Sequence, residues 1–339
     1  MHRVRTVLLV FAIAACGCAH TAPITAWQPA AIDVSGLNHV VVLGFSGEHG
    51  DAVASALTSE LWENEFYTLV DRSELQPVMQ AGFDADAPAD VNSLIEPAKA
   101  AGIDGIIVGD VVEYRCDDRV FESTEVGFLN RSKEDSTGEE DLNGFGLSQK
   151  QTLQREATVT IAFRLVDVNT GEVRASKRVS KHFDGQLIDG QGTLPPSGAI
   201  LDDLLTECVD EIVQMLAPHS VPCSMKLATC DWFTRGRRHV ARGVKAAENG
   251  DWDTAREEWQ AALDKNPEND AALFNLALAA AADANFEEAE EFAMEALRLR
   301  HKPCYAKGVE EIRRHRTAFE EASQQRDARI VPAEGHFWR

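Results

Sequence analysis

Hydrophobic and polar residues follow two different rhythms along the chain. From residue 38 to residue 220, short apolar runs alternate with segments of helical periodicity. The runs HVVVLGF and GIIVGDVVEY are typical of buried strands, and TVTIAFRLVDV alternates between apolar and polar positions before an NTGE turn. This order of strands and helices predicts an α/β fold over residues 38–220, a sandwich with a mixed sheet.

One stretch inside this region has a different composition. Residues 115–157 contain sixteen charged residues out of forty-three, and the segment RSKEDSTGEED within them has no apolar residue. Such a composition buries too little apolar surface to fold by itself. We therefore expect a charged, mobile loop at 115–157.

After residue 235 the pattern becomes helical and repeats every 34 residues. The positions that recur at this spacing are Gly243 and Ala277, Ala255 and Ala289, Trp259 and Ala293, and Ala262 and Ala296. This period resembles that of the tetratricopeptide family. The resemblance implies an all-α module of two helical hairpins at 236–303. Residues 221–235 then form a connector, 304–326 a capping helix and 327–339 a tail.

The tetratricopeptide resemblance also implies a binding surface. In that family, the inner face of each repeat's first helix lines a groove for a protein partner. That face here holds Arg237, Val240, Val244, Phe274, Asn275 and Leu278. An extended peptide or a helix would fit there, with the Asn275 amide bonded to its backbone. The alternative interpretation is that the same face is buried against the α/β domain.

The N-terminal segment MHRVRTVLLVFAIAACGCAH indicates export. It joins two arginines to an apolar run that is too short to span a bilayer as a helix. Small residues precede a cysteine, which resembles a bacterial lipoprotein signal, and an ordinary secretory signal is the other interpretation. The resemblance implies a signal peptide at 1–18 and lipidation of Cys16, with Cys18 as the alternative. Residues 19–37 form a short segment that contains two prolines, so we expect a tether.

The residue that follows the lipidated cysteine indicates which membrane would hold the anchor. Neither Gly17 nor Ala19 is the aspartate that commonly retains lipoproteins at the inner membrane. An outer-membrane location facing the periplasm is therefore favoured. The net charge of −22 repels phosphate backbones, which argues against nucleic acid as a partner.

The cysteines allow two interpretations. Export permits disulfides, and Cys223 and Cys230 are close in sequence, which makes them the first choice for a bridge. The same two residues with His219 are a weaker candidate for a metal site, because only three ligands are present and their spacing is not that of a zinc motif. We therefore expect no bound metal.

The segment GFSGEHG follows the first strand of the α/β region and leads into a helix. It lacks the Gly-Lys-Ser/Thr of a phosphate-binding loop, and Ser46 is not in a G-x-S-x-G turn. The glycines are explained by a tight turn from strand to helix. No other set of residues has a catalytic pattern, so we expect a protein that is not an enzyme and has no cofactor.

Four segments in order resemble the curli-secretion component (CsgG-like) family: VVVLGF, FYTLVDRSEL, AAGIDGIIVGDVVEY and VTIAFRLVDVNTGEV. VDRSEL and LVDVNTGEV are the most specific. The resemblance implies an anticodon-binding-like mixed-sheet sandwich over residues 38–220 and leaves self-association open.

The sequence thus predicts a non-enzymatic envelope lipoprotein that acts as a scaffold or adaptor. The CsgG-like domain is expected near the membrane, and the tetratricopeptide repeats are expected to bind an envelope protein. The alternative is a subunit of a curli-type outer-membrane secretion complex.

Overall fold

The computed structural model describes residues 20–70, 91–129 and 144–330. It divides into two compact units. The α/β unit comprises Pro29–His219 with the chain from Ala322 onward, and the helical unit comprises the chain up to Gln28 with Ser220–Glu321.

The described strands are β1 Thr21–Gln28, β2 His39–Ser46, β3 Thr68–Leu69, β4 Gly105–Leu129, β5 Gly144–Asp167, β6 Val173–Ile188 and β7 His219–Lys226. The described helices are α1 Gly50–Asn64, α2 Val91–Ala100, α3 Ser197–Leu216, α4 Arg237–Glu248, α5 Trp252–Lys265, α6 Asp270–Ala282, α7 Phe286–Leu299 and α8 Pro303–Ile330. None of the helices in these ranges is both long and apolar enough to cross a membrane.

The α/β unit contains a five-stranded mixed sheet in the order β3-β2-β4-β5-β6. Strand β2 runs parallel to β3 and β4, while β4, β5 and β6 pair antiparallel. Successive residues of β2 point to opposite faces: Val40 and Val42 join the core that includes α1 and α3, and Val41 and Leu43 join the core that includes α2. Because both faces are covered, β2 is a continuous apolar run. The predicted mixed α/β fold is confirmed.

The prediction of a charged loop at 115–157 is wrong for most of that segment. Residues 115–129 and 144–157 are strand, because β4 and β5 pair from Gly105 with Asp167 outward to Leu129 with Gly144. The ladder is made by backbone groups, and charged side chains suit it where they face each other with opposite sign. RSKEDSTGEED lies outside the described residues.

One pair of opposite charge shows how charged side chains are accommodated between β4 and β5. Arg155 donates from Nε and Nη2 to the two carboxylate oxygens of Asp118, at 2.6 Å each. Asp118 and Arg155 are register partners in the β4–β5 ladder.

The helical unit packs α4 to α8 together with a two-stranded sheet of β1 and β7. Its core combines many alanines with a few large aromatic residues, including Trp259 and Tyr305. Close contact explains one recurring small residue, because a Cβ on Gly243 would lie 2.4 Å from Nε1 of Trp259. The predicted helical character of 236–303 is confirmed, and α8 extends beyond the expected capping helix at both ends.

The tether predicted for residues 19–37 is not what the structure shows. Residues 21–28 form strand β1, whose alternate residues Ala22, Ile24 and Ala26 are buried. Farther along, Ile32 and Leu37 belong to the core of the α/β unit. The sequence signal for β1 is that Ala22, Ile24 and Ala26 fall on alternate positions, which is the pattern of a half-buried strand.

Candidate functional site

The face predicted to bind a partner is buried. We call it the covered face: Val240, Val244, Phe274, Asn275 and Leu278, each at most 3% exposed. The sixth predicted residue, Arg237, is half-buried at the start of α4. Helix α6, which carries three of the five, is buried on nearly all sides. An open groove is therefore not present at these residues.

The occupant of this face is a segment of the same chain. Asn275 Nδ2 donates to the carbonyl oxygen of Ala228 at 3.0 Å, and the Ala228 N–H donates to Asn275 Oδ1 at 2.8 Å. One amide thus satisfies both backbone groups of a single residue. The hydrogen bond expected from Asn275 to the backbone of a partner is replaced here by bonds to the segment of the same chain that follows β7.

Two extended segments contribute to this covering. Ala22 and Ile24 of β1, with Met225 and Leu227, belong to the core of the helical unit. The Leu227 N–H donates to the His20 carbonyl at 2.8 Å, which joins the two segments at one end. The alternation of Val221, Cys223, Met225 and Leu227 is the sequence signal for this strand.

Phe274 has a structural role on the covered face. Its ring stacks on that of Tyr305, with centroids 4.6 Å apart. A Cβ on Gly308 would lie 2.4 Å from Phe274 Cζ, so α8 approaches the ring closely. Helix α8 therefore holds Phe274 in the core.

A buried polar cluster lies beside this stack. The Tyr305 hydroxyl donates to Asp270 Oδ2 at 2.7 Å, and Lys302 Nζ lies 2.7 Å from the same oxygen. Burial, and then the bond to Asp270, raise the pKa of Tyr305 far above its usual range. Tyr305 thus remains a neutral donor that joins α8 to the start of α6.

The predicted disulfide is not formed. Cys223 and Cys230 are both free thiols. Cys230 Sγ donates to Asn269 Oδ1 at 3.3 Å, so this thiol already has a partner on the helical unit. Burial raises the pKa of both thiols, which disfavours the thiolate form needed to bind a metal. Cys16 and Cys18 lie outside the described residues.

The described ranges also contain no group of three or more histidine, cysteine, aspartate or glutamate residues arranged to hold a metal ion. His219 Nδ1 forms a hydrogen bond to the carbonyl oxygen of Ala217 at 3.1 Å. Burial raises the pKa of the Cys208 thiol to about 11.

The glycines of GFSGEHG are explained by packing. Gly47 has a φ of 90°, and a Cβ there would lie 2.7 Å from the Val111 carbonyl oxygen. A Cβ on Gly50, where α1 begins, would lie 1.8 Å from the Phe45 carbonyl oxygen. These contacts between β2, β4 and α1 leave no room for side chains at either position.

The motif LVDVNTGEV forms the turn between β5 and β6. Asp167 is 3% exposed, and its Oδ1 accepts from the backbone N–H groups of Asn169 at 2.8 Å and Thr170 at 3.1 Å. Its Oδ2 accepts from Arg174 Nη2 at 2.6 Å. Burial alone would raise the pKa of Asp167, but the bonds from Arg174 and from the two amides lower it overall. In the other specific motif, VDRSEL, all residues after Val70 lie outside the described residues.

Comparison with protein families gives two matches. Residues 35–194 match the family described as curli production assembly/transport component CsgG. Residues 241–324, in the helical unit, match a domain of unknown function, DUF6340. A search of curated proteins found no match.

Three solved structures are among those that match the chain. Lipoprotein GNA1162 from Neisseria meningitidis is 15% identical, covers 52% of this chain and 98% of its own, and gives a TM-score of 0.30. A PelC dodecamer from Paraburkholderia phytofirmans is 14% identical, covers 57% of this chain and 96% of its own, and gives a TM-score of 0.27. The LpoB C-terminal domain from Escherichia coli is 16% identical, covers 44% of this chain and 85% of its own, and gives a TM-score of 0.27.

These TM-scores are low, so the assignment rests on the family match and on the α/β architecture described above. The matched residues hold β2 to β6 of the sheet together with α1 and α2. Residues 35–194 are therefore similar to the CsgG family, and the α/β architecture of these residues agrees with that match.

Proposed function

We propose that this protein is a non-enzymatic lipoprotein of the bacterial envelope that acts as a scaffold or adaptor. The observation that carries the proposal is the match of residues 35–194 to a family of curli production assembly/transport components. The lipoprotein-like segment before that domain supports it. The lipid is carried by Cys16 or Cys18, and the anchor holds the protein at the outer membrane, facing the periplasm.

The structure supports a change in one part of this proposal. The sequence favours the CsgG-like domain as the part near the membrane. However, His20 already bonds to Leu227 and Glu248 of the helical unit. Three residues lie between Cys16 and His20, and an extended chain of four Cα–Cα steps spans at most about 14 Å. We therefore assign the position next to the anchor to the helical unit.

The helical unit is proposed to be of tetratricopeptide type and to bind an envelope protein. Its support is the 34-residue period and the four consecutive helices α4 to α7, separated by short turns. Since Ala228 occupies the covered face, the partner would contact the exposed remainder of the unit. The alternative function, a subunit of a curli-type secretion complex, is favoured by the description of the matched family.

Intact-mass analysis of the protein from the membrane fraction tests the anchor. We expect the mass of a diacyl or triacyl modification on the mature N-terminus. Cys16→Ala and Cys18→Ala serve as matched variants, and only the one that removes the modified cysteine should lose the acyl mass. A soluble mature chain with an unmodified N-terminus would contradict the proposal.

A pull-down from detergent-solubilised envelope separates the two functions. A scaffold should recover a second envelope protein in a stable ratio. A secretion subunit should instead form a large assembly of this chain alone, measured by light scattering in detergent. A monomer that recovers no partner would contradict both.

A further inference from the structure

One short region reverses the charge of the chain. Residues 226–245 contain six lysines or arginines and one acidic residue, in a protein with a net charge of −22. The same region holds two exposed aromatic side chains: Trp232 is 73% exposed and Phe233 is 94% exposed. We call Trp232, Phe233, Arg235, Arg237 and Arg238 the basic–aromatic patch. Large aromatic side chains this exposed in a folded unit indicate an interaction surface.

The patch is organised rather than a set of unrelated side chains. The Arg237 guanidinium lies over the Trp232 ring, with Cζ 4.5 Å from the centroid. Trp232, Arg237 and Arg238 line a depression of about 440 Å³ together with Lys265. The stacking of Arg237 on Trp232 fixes the direction of the indole while leaving most of it in solvent.

The neighbouring acidic residues are engaged by other cations. Glu258 accepts from His239 at 2.8 Å and from Arg242 Nε at 2.9 Å. Asp231 pairs with Arg300. Within the described part of the chain, no carboxylate lies within ion-pair distance of Arg235, Arg237 or Arg238. The positive charge of the patch is therefore available to an external anion.

We propose that the basic–aromatic patch docks on the surface of an anionic lipid bilayer. Tryptophan and phenylalanine side chains favour the membrane–water interface, and arginines beside them favour lipid phosphates. Two protruding aromatic side chains with three unpaired arginines suit a plane of headgroups, where the rings enter the interface while the guanidinium groups remain at phosphate level.

The position of the patch in the helical unit agrees with this occupant. The patch precedes and begins α4, and strand β1 packs against α4 in the same unit. The inference goes beyond the proposed function, because a lipid on a cysteine needs no protein surface in order to anchor. The patch would make a second contact that fixes the orientation of the unit on the membrane.

Quenching of tryptophan fluorescence by brominated lipids tests this contact. The full chain is purified from membranes and reconstituted in phosphatidylcholine vesicles with or without phosphatidylglycerol. We expect stronger quenching with the anionic lipid and loss of that increment in Trp232→Phe. Trp62→Phe is the matched control, because Trp62 is 68% exposed but lies between Glu60 and Glu63, so its substitution should leave the increment unchanged.

The charge requirement is tested with Arg237→Gln combined with Arg238→Gln. If each arginine near an anionic surface contributes about fivefold, the pair should weaken docking about 25-fold. Thermal melting checks that each variant is folded. Arg238 is exposed and Arg237 is half-buried with no ion pair among the described residues, so we expect the Tm to change little.

Three results would overturn the proposal: equal quenching in both lipid mixtures, equal loss of quenching with Trp62→Phe, or poly-glutamate binding that competes fully with the vesicles. The last would assign the patch to an acidic protein. Intact mass reports on the anchor and quenching on the patch, so each proposal can fail while the other stands.

Discussion

A buried side chain binds backbone groups in each of the two units, but the chemistry of the two side chains differs. In the helical unit, the neutral amide of Asn275 bonds both backbone groups of Ala228. In the α/β unit, the charged carboxylate of Asp167 bonds two backbone amides of a turn and the guanidinium of Arg174. Both side chains are almost completely buried.

The difference determines how each unit responds to its surroundings. A neutral amide holds its segment equally well across the ordinary pH range. A buried carboxylate with a lowered pKa makes part of the stability of its unit depend on pH. Substitutions in the two units should therefore separate packing, neutral hydrogen bonding and charge.

The largest effect is expected from Phe274→Ala. Removing this ring leaves a cavity between α6 and α8 and should lower the free energy of unfolding by about 3–5 kcal/mol. Urea denaturation of the full chain measures it. Phe233→Ala is the matched control in the same unit, and its exposed ring should change stability by less than about 0.5 kcal/mol.

The opposite outcome for Phe274 is also informative. If Phe274→Ala abolishes recovery of a partner while the Tm is unchanged, the covered face opens in solution and acts as a groove. The burial of the ring against Tyr305 argues for the loss of stability.

A smaller effect is expected from Asn275→Ala. The variant leaves the N–H and the carbonyl of Ala228 buried without partners, at about 1–3 kcal/mol for each group. Because the variant also removes the buried Asn275 amide, part of this cost is offset, and we expect a net loss of about 2–4 kcal/mol. Faster hydrogen exchange of the Ala228 amide would localise the change. Asn249→Ala removes an exposed amide that bonds the Lys245 carbonyl and should change little. Equal effects of the two variants would contradict a stabilising role for the two hydrogen bonds between Asn275 and Ala228.

The smallest of the three effects is expected from Asp167→Asn. Replacing the carboxylate weakens its bond to Arg174 and should lower stability by about 1.5–3 kcal/mol at neutral pH. Because the folded-state pKa is lowered, this contribution is complete above the unfolded-state pKa of about 3.9 and is lost as the pH falls through the folded-state pKa. The difference between wild type and variant should therefore shrink below about pH 4.

Asp33→Asn is the control for this substitution. Asp33 also pairs with Arg174, at 2.9 Å, but its side chain is 67% exposed, so the loss should be below about 1 kcal/mol. A difference between wild type and Asp167→Asn that does not vary with pH would mean that the lost shape, rather than the lost charge, causes the effect.

The fold was predictable where the pattern of apolar residues is local. The apolar run of β2, the alternation of β5 and the helices after residue 235 are each visible within a dozen residues. The outer parts of β4 and β5 were missed because a ladder of backbone bonds leaves no mark in the hydrophobic pattern. Pairs such as Asp118 and Arg155 become visible only when the register is known.

The candidate site was predictable in its chemistry but not in its occupant. The sequence predicted that Asn275 would bond the backbone of a protein partner, and the structure shows it bonded to Ala228 of the same chain. It could not indicate that residues 20–28 and 219–228, far apart in the chain, would provide the covering, because pairing over such a distance has no local signal.

Strands β1 and β7 pair although the domain that matches the CsgG family lies between them in the sequence. In topological terms, that domain is an insertion whose two ends are fastened to one small sheet. A force applied at residue 20 acts first on strand β1, because β1 follows this residue directly and is hydrogen-bonded to β7. Detachment of β1 would uncover Ala22 and Ile24 of the helical core, so mechanical tension on the chain would be converted into exposure of a new apolar surface.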